Sequence, residues 1–477
     1  MKVLFINPSC SLEELYGDLA GGGNELPPQT LAALAAVTRR GGYDTAILDC
    51  PVLKMDMAAI LKKVADFSPD YVGITATTIT MENAGRIAAG IKANTPSAKI
   101  IAGGPHVTAL VEDTLERFPE IDIGVVGEGE ETLIEVLRSL DRKEPLDQVR
   151  GIAFRGPDKR ITVTGKRDLI RDIDTLPLPA WELLPPLGKF YNPPGDSINR
   201  MPAVGLVTSR GCPGKCIFCD NRTFGRVFRA HSPAHVLKMI RVLVEDHGVK
   251  EIYFEDDYFM ASRKRLVEIC NGLITAKFDL TWTCTGRISK SIDNELLKLM
   301  KRAGCWQICY GIESGSQEIL DIIEKGIKLA DVKECVARTR RAGLSVKGFF
   351  MLGNFLETEE TIRKTMGLIR ELPLTDFHMC YFVPFPGSAA YAAADRYGKF
   401  NKEWRNMNLY EPRAFVPGAL TEDRMKESFK KCYAAHYFKP SVILHYARKI
   451  KNLGALKKLI VSFIAFLRFS FFTGREA

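Results

Sequence analysis

Along most of this chain short apolar runs alternate with helix-patterned stretches, and that alternation is what most narrows the fold. In the first 140 residues the strand runs are 2–6, 44–49, 71–75, 99–102 and 123–126, separated by helical patterns such as 30–40, 57–67, 83–92 and 132–140. Strand and helix in strict turn imply a parallel sheet with helices on both faces, a doubly wound, Rossmann-like α/β arrangement. The pattern resumes after residue 200, with strands at 204–208, 251–254, 280–284, 306–310, 345–351 and 377–382. Helices follow near 233–246, 262–276, 293–302, 316–324, 330–341 and 359–371. Six units rather than eight point to an open, partial (β/α)6 barrel instead of a closed one. Residues 141–200 connect the two parts. They hold a candidate hairpin, 151–154 with 161–164, and then a stretch at 176–186 too proline-rich for regular structure. Trp181 in that stretch is expected to plug the space between domains.

One loop concentrates the chemistry. Cys212, Cys216 and Cys219 stand in a C-x3-C-x2-C arrangement, after the apolar run 204–207 and before a helical pattern. That places them at the C-terminal end of a strand, where α/β folds put ligand sites. Zinc and complete iron-sulfur clusters normally take four protein ligands, and three cysteines leave one iron open to substrate. A zinc knuckle completed by Asp220 or His231 is the bland alternative.

The triad, with Phe218 before its last cysteine, resembles the signature of the radical S-adenosylmethionine superfamily. The resemblance implies a 4Fe-4S cluster on Cys212, Cys216 and Cys219, whose open iron chelates S-adenosylmethionine and reduces it to a 5'-deoxyadenosyl radical. It also places S-adenosylmethionine contacts at strand ends: Phe218, Asp256 or Asp257 for the amino group, Arg287 for the carboxylate, Glu313 for the ribose, and Ser314. The segment 348–353 with Glu357 resembles the adenine side, and the turn 384–388 matches the same subclass.

In the N-terminal sheet the strand ends carry Thr75, Thr77 and Thr78, then Gly103, Gly104 and His106, then Gly127, Glu128 and Gly129. Glycine admits a large planar ligand close to the backbone, and threonine hydroxyls bond a polar rim. This order, followed by the cysteine loop, resembles the cobalamin-binding domain of cobalamin-dependent radical enzymes, closest in domain order to the magnesium-protoporphyrin ester oxidative cyclase-like branch. The Asp-x-His-x-x-Gly motif of other cobalamin domains is absent from the sequence. The domains expected are 1–140 (cobalamin-binding), 141–200 (linker), 201–390 (radical barrel) and 391–477 (mainly helical accessory region).

Composition narrows the partners. The balance of 66 Lys+Arg against 57 Asp+Glu is not gathered into one patch, which argues against nucleic acid. Only three of 12 cysteines have ligand spacing, so a disulfide framework is not expected and a reducing cytoplasmic setting is. Residues 457–472 are apolar but carry Arg468, and with Arg448, Lys449, Lys451, Lys457 and Lys458 they suit a membrane interface or a docked helix better than a span.

The expected function is reductive cleavage of S-adenosylmethionine and methylation of an unactivated carbon on a hydrophobic small molecule, with flavodoxin or ferredoxin as electron donor. The alternatives are a cyclase-like oxidation without methyl transfer and, from another class, a non-catalytic cobalamin sensor. Methylthiotransferases are disfavoured, because residues 1–140 hold only Cys10 and Cys50.

Overall fold

A computed structural model describes residues 1–448 except 18, 19, 21, 22, 157, 195 and 196. The apolar segment 457–472 and the basic residues Lys449, Lys451, Lys457 and Lys458 lie outside the described residues.

The N-terminal sheet comprises β1 (Lys2–Asn7), β2 (Asp44–Asp49), β3 (Tyr71–Thr75), β4 (Lys99–Gly103), β5 (Ile123–Val125), β6 (Ile152–Arg155) and β7 (Ile161–Val163). Its order is β2-β1-β3-β4-β5-β6-β7, with the first five strands parallel and the last two antiparallel. The interior strand β1 buries Val3, Leu4, Phe5 and Ile6 in succession, as a strand covered on both faces must. Val3 and Phe5 join one core layer while Leu4 and Ile6 join the other. The hairpin expected within the connector is present, but it extends this sheet along β5.

The second sheet is β8 (Ala203–Leu206), β11 (Glu251–Phe254), β12 (Thr281–Gly286), β13 (Cys305–Glu313), β14 (Ser345–Leu352) and β15 (Asp376–Tyr381). All six are parallel and lie in the order β15-β14-β13-β12-β11-β8, a curled, open half-barrel. Between β8 and β11 a two-stranded ribbon, β9 (Ser209–Arg210) with β10 (Arg229–Ala230), brackets the cysteine loop. A last small pair, β16 (Gly398–Phe400) with β17 (Phe415–Pro417), precedes the helix Glu422–Tyr437, which packs beside β15.

Several contacts join the halves. Trp181 is 2% exposed in the core that runs from Ala32 and Val52 into the barrel, and the Ala180 N–H donates to the Ala32 carbonyl (2.9 Å). The Gln29 amide grips the end of β8 with both ends, accepting from Val207 N–H (2.7 Å) and donating to its carbonyl (3.0 Å). The Tyr191 hydroxyl donates to Asp49 (2.7 Å).

Candidate functional site

The cysteine loop leaves β9 through Gly211, at φ +79, and its shape is fixed from three directions. The Ile217 N–H donates to the Ile323 carbonyl beyond β13 (3.1 Å), and the Ala390 N–H, beyond β15, donates to the Ile217 carbonyl (2.9 Å). Gly387, at φ +90, has no room for a Cβ, which would sit 2.6 Å from the Asp220 carboxylate. The turn 384–388 thus packs on the cysteine loop, and Asp220 is engaged there rather than as a fourth ligand.

The third direction is Asp256. Its carboxylate accepts the Thr208 N–H (2.6 Å), the Ser209 N–H and both side-chain hydroxyls, while Arg265 donates to the Thr208 hydroxyl (2.8 Å). Burial pushes this carboxyl up to about 6 against the pull of those bonds. The structure therefore sets Asp256 behind the site as a clamp on the strand leading into the cysteines. Its neighbours face outward. Asp257 is exposed and accepts the Gly211 N–H (3.1 Å). Glu255, not singled out from the sequence, lies across Gly205, where a Cβ would collide with its carboxylate. It is open to solvent yet walled by protein, and this burial, with the Asp256 charge, pushes it up to about 7.

Two cations stand at the loop. Arg287 Nη1 approaches Gly214 so closely that a Cβ there would lie 2.8 Å away, and Nη2 donates to the Lys325 carbonyl. Lys325, 9% exposed, donates to Glu313 (2.6 Å) and lies 5.8 Å from the centre of the Phe218 ring. The Cys216 thiol is pulled down to about 6 by a hydrogen bond from Cys219, with help from Lys325 and Arg287. Three thiols with no engaged fourth protein ligand among the described residues fall one short of the usual zinc set. The donor set and its cations fit a cluster carrying several irons.

Glu313 stands at a break in register between β13 and β14 and adopts φ +67, a conformation a side chain holds only where its surroundings impose it. Its carboxylate folds over Gly311, where a Cβ would sit 2.6 Å from Oε1. Ser314 is fully buried and bonds Thr365 (3.2 Å), so it holds a loop. Glu357 is also buried, accepting the Gly353 and Asn354 N–H groups as a loop cap.

On the N-terminal sheet, Thr75, Gly103 and the Gly127–Gly129 turn sit at adjacent strand ends, as the order of strands requires. Gly127 has φ +84 and nothing within 4 Å of a notional Cβ, so its backbone lies bare; its N–H donates to Thr108 (3.1 Å). Gly104, at φ +103, would press a Cβ to 2.7 Å of the Ala76 carbonyl. Thr77 is exposed and Thr78 is buried. A cavity of about 390 Å³ opens beside Gly127 and Glu128, lined also by Thr108, Thr164, Arg167 and Arg222, while Thr75, Gly103, Gly104 and His106 lie outside its lining. Bare glycine backbone beside a cavity suits a large planar group. The His106 Nδ1 meets Thr78 (3.2 Å), its ring packs edge-on to Trp404, and Nε2 is buried with no partner among the described residues. Glu128 lines the cavity and its carboxylate is engaged by the barrel's Arg210 and Arg229.

A further cluster, Asp174 with His231 and His235, brings three ligand atoms within 4.8 Å. The carboxylate already accepts the Ser232 N–H (3.0 Å) and lies 2.9 Å from His231 Nδ1. The rings are stacked at 9°, so no one ion lies in both ring planes; the cluster ties the linker to the barrel's first helix.

Among the described residues no helix is long and apolar enough to cross a membrane. The family model of the B12 binding domain matches residues 18–137, and that of the radical SAM superfamily matches residues 206–369. An uncharacterized methyltransferase of Pyrococcus horikoshii is 30% identical over 93% of this chain and 94% of its own length. The anaerobic magnesium-protoporphyrin IX monomethyl ester cyclase of Rubrivivax gelatinosus is 28% identical over 97% of this chain and 83% of its own. In solved structures, the cobalamin-dependent S-adenosylmethionine radical enzyme OxsB, with aqua-cobalamin and S-adenosylmethionine bound, superposes with a TM-score of 0.74 at 18% identity, covering 98% of this chain and 71% of that one. A relative matched from end to end, and two family models in the order in which the sheets follow one another, make this chain a member of the B12-binding radical S-adenosylmethionine enzymes, which work with cobalamin, S-adenosylmethionine and a 4Fe-4S cluster.

Proposed function

We propose that the chain is a methyltransferase acting on an unactivated carbon of a small, hydrophobic molecule. The observation that carries this reading is the end-to-end match to a methyltransferase. Bound at the cysteine loop and the N-terminal strand ends, the cofactors supply radical cleavage of S-adenosylmethionine and a transferable methyl group.

The chain's own residues do the holding. Cys212, Cys216 and Cys219 are the cluster ligands, and the Cys216 thiol is drawn downward. Asp257 and Glu255 face outward beside that loop and suit an ammonium group. Arg287 is placed for a carboxylate, its planar fork being the usual partner of that group. Glu313, held by Lys325, points its carboxylate where ribose hydroxyls would donate to it. Phe218 supplies an apolar wall. Thr75, Thr77, Gly103 and Gly127 form the cobalamin platform.

Anaerobic reconstitution with iron, sulfide and hydroxocobalamin, followed by reduction with S-adenosylmethionine labelled on its methyl group, tests this. Methyl transfer predicts S-adenosylhomocysteine with label in the cobalamin fraction, and 5'-deoxyadenosine beside it. The near-full-length match to a cyclase favours a second reading, oxidation without methyl transfer; 5'-deoxyadenosine alone, with the true substrate present and no label moved, would favour that instead. A sensor would keep its biological effect in Cys212→Ala, whereas either enzyme would lose it.

A further inference from the structure

Where the two halves meet, four charges are buried together. Arg210 donates through Nη1 to Glu128 (2.7 Å) and through Nη2 to Glu130. Arg229 donates to both oxygens of Glu128 (2.9 Å each) and to the Ile170 carbonyl (2.6 Å). The side chains of Arg210, Arg229, Glu128 and Glu130 are 12%, 8%, 3% and 9% exposed. Arg210 and Arg229 are also direct cross-strand partners in the ribbon that brackets the cysteine loop. Like charges placed opposite one another repel, so this ribbon closes around its loop only with the two carboxylates in place. Those carboxylates come from the other half, on either side of Gly129 at the start of the helix Gly129–Arg142.

A buried ion pair gains little net energy over an apolar contact of the same shape, because both charges lose their water. Its distinctive effect is geometric: a guanidinium forked onto two carboxylates fixes direction as well as distance. One end of this fork lies two residues before Cys212, the other in the turn Gly127–Glu130.

We propose that Arg210, Arg229, Glu128 and Glu130 form a latch that sets the separation and orientation of the cluster and the cobalamin. They act as positioning residues through the fork that joins the two halves, and Glu128 does so from the wall of the cavity beside Gly127. The proposal rests on the reading that the cysteine loop holds the cluster and the 127–129 turn faces cobalamin.

The test is made on the full chain reconstituted with cluster and hydroxocobalamin, then reduced so that both the cluster and the cob(II)alamin are paramagnetic. The magnetic coupling between the two spins is compared in wild type, Arg210→Gln, Glu130→Gln and the double variant. The latch predicts both groups at wild-type stoichiometry in each single variant, with coupling weakened or spread over a broader range. The double variant should be no worse than either single one, and Arg210→Lys, which keeps the charge without the fork, should also be broadened. Coupling identical to wild type in the loaded variants overturns the latch. Should the Gln variants fail to load, Arg210→Lys decides alone, an unchanged coupling again overturning it. Wild type that takes up the cluster but no cobalamin would instead overturn the underlying reading, and the latch with it.

Discussion

Single side chains here are best understood by what surrounds them. The Cys216 thiol is drawn downward by its hydrogen bond with Cys219 and by the two cations that stand close. Replacing it with Ser should abolish the visible absorbance of the reconstituted cluster and all 5'-deoxyadenosine, leaving cobalamin uptake intact. His436 is the opposite kind of residue. It is fully buried, both ring nitrogens lack partners among the described residues, and burial drives it down to about 3 from 6.5. A base held neutral in this way leaves stability whole above pH 6.5 and costs up to about 1.4 kcal/mol per pH unit as the pH falls toward its folded value. His436→Leu removes an unpaired polar group, worth about 1–3 kcal/mol. Urea titrations should show the variant more stable at pH 7 and its advantage widening at pH 5. The comparison must be between variant and wild type, because Glu255, Asp256 and Glu357, all pushed upward, favour the fold as the pH falls. Nothing in the sequence marked His436, since a histidine in a helical pattern carries no sign of how deeply it will be buried. Asp256 and Asp257 were equally ambiguous as adjacent carboxylates; a strand end turns consecutive residues to opposite sides, and only the backbone shows which one faces the loop.

Elements were more legible than side chains. Strand and helix periods located the eleven parallel strands of the two sheets, because buried parallel strands are continuous apolar runs and their crossover helices are amphipathic. The hairpin of β6 and β7 was visible as two short runs, but its partner was not, because pairing with β5 is a long-range choice that no local pattern encodes. Close approaches between elements are likewise invisible until glycines are placed. Gly315 lets the turn after β13 touch the helix Glu359–Glu371, where a Cβ would sit 2.5 Å from the Thr365 Cα and 2.6 Å from the Lys364 carbonyl. Both obstacles are backbone and cannot swing aside. Gly315→Ala should cost about 1–3 kcal/mol by overpacking and, by shifting Glu313, weaken S-adenosylmethionine binding more than cobalamin binding; equilibrium binding of each ligand checks this.

At the scale of the whole molecule, the two sheets share one buried seam. Trp181 lies in it, as expected of a large apolar residue in a stretch that cannot form regular structure. Trp181→Ala should cost about 3–5 kcal/mol and split a single thermal transition into two, since it empties the contact without touching either sheet; calorimetry would reveal the second peak. The packing of the cysteine loop against later parts of the barrel has a consequence in time. The cysteine loop belongs to the first strand, yet it is held by Ile323 and Ala390 and packed by Gly387, all made much later in synthesis. A ribosome that has released only the cysteines has not yet released the residues that shape them. Cluster delivery must therefore wait for a nearly finished chain, and truncation just before residue 384 should leave a protein that collects iron poorly although every ligand is present.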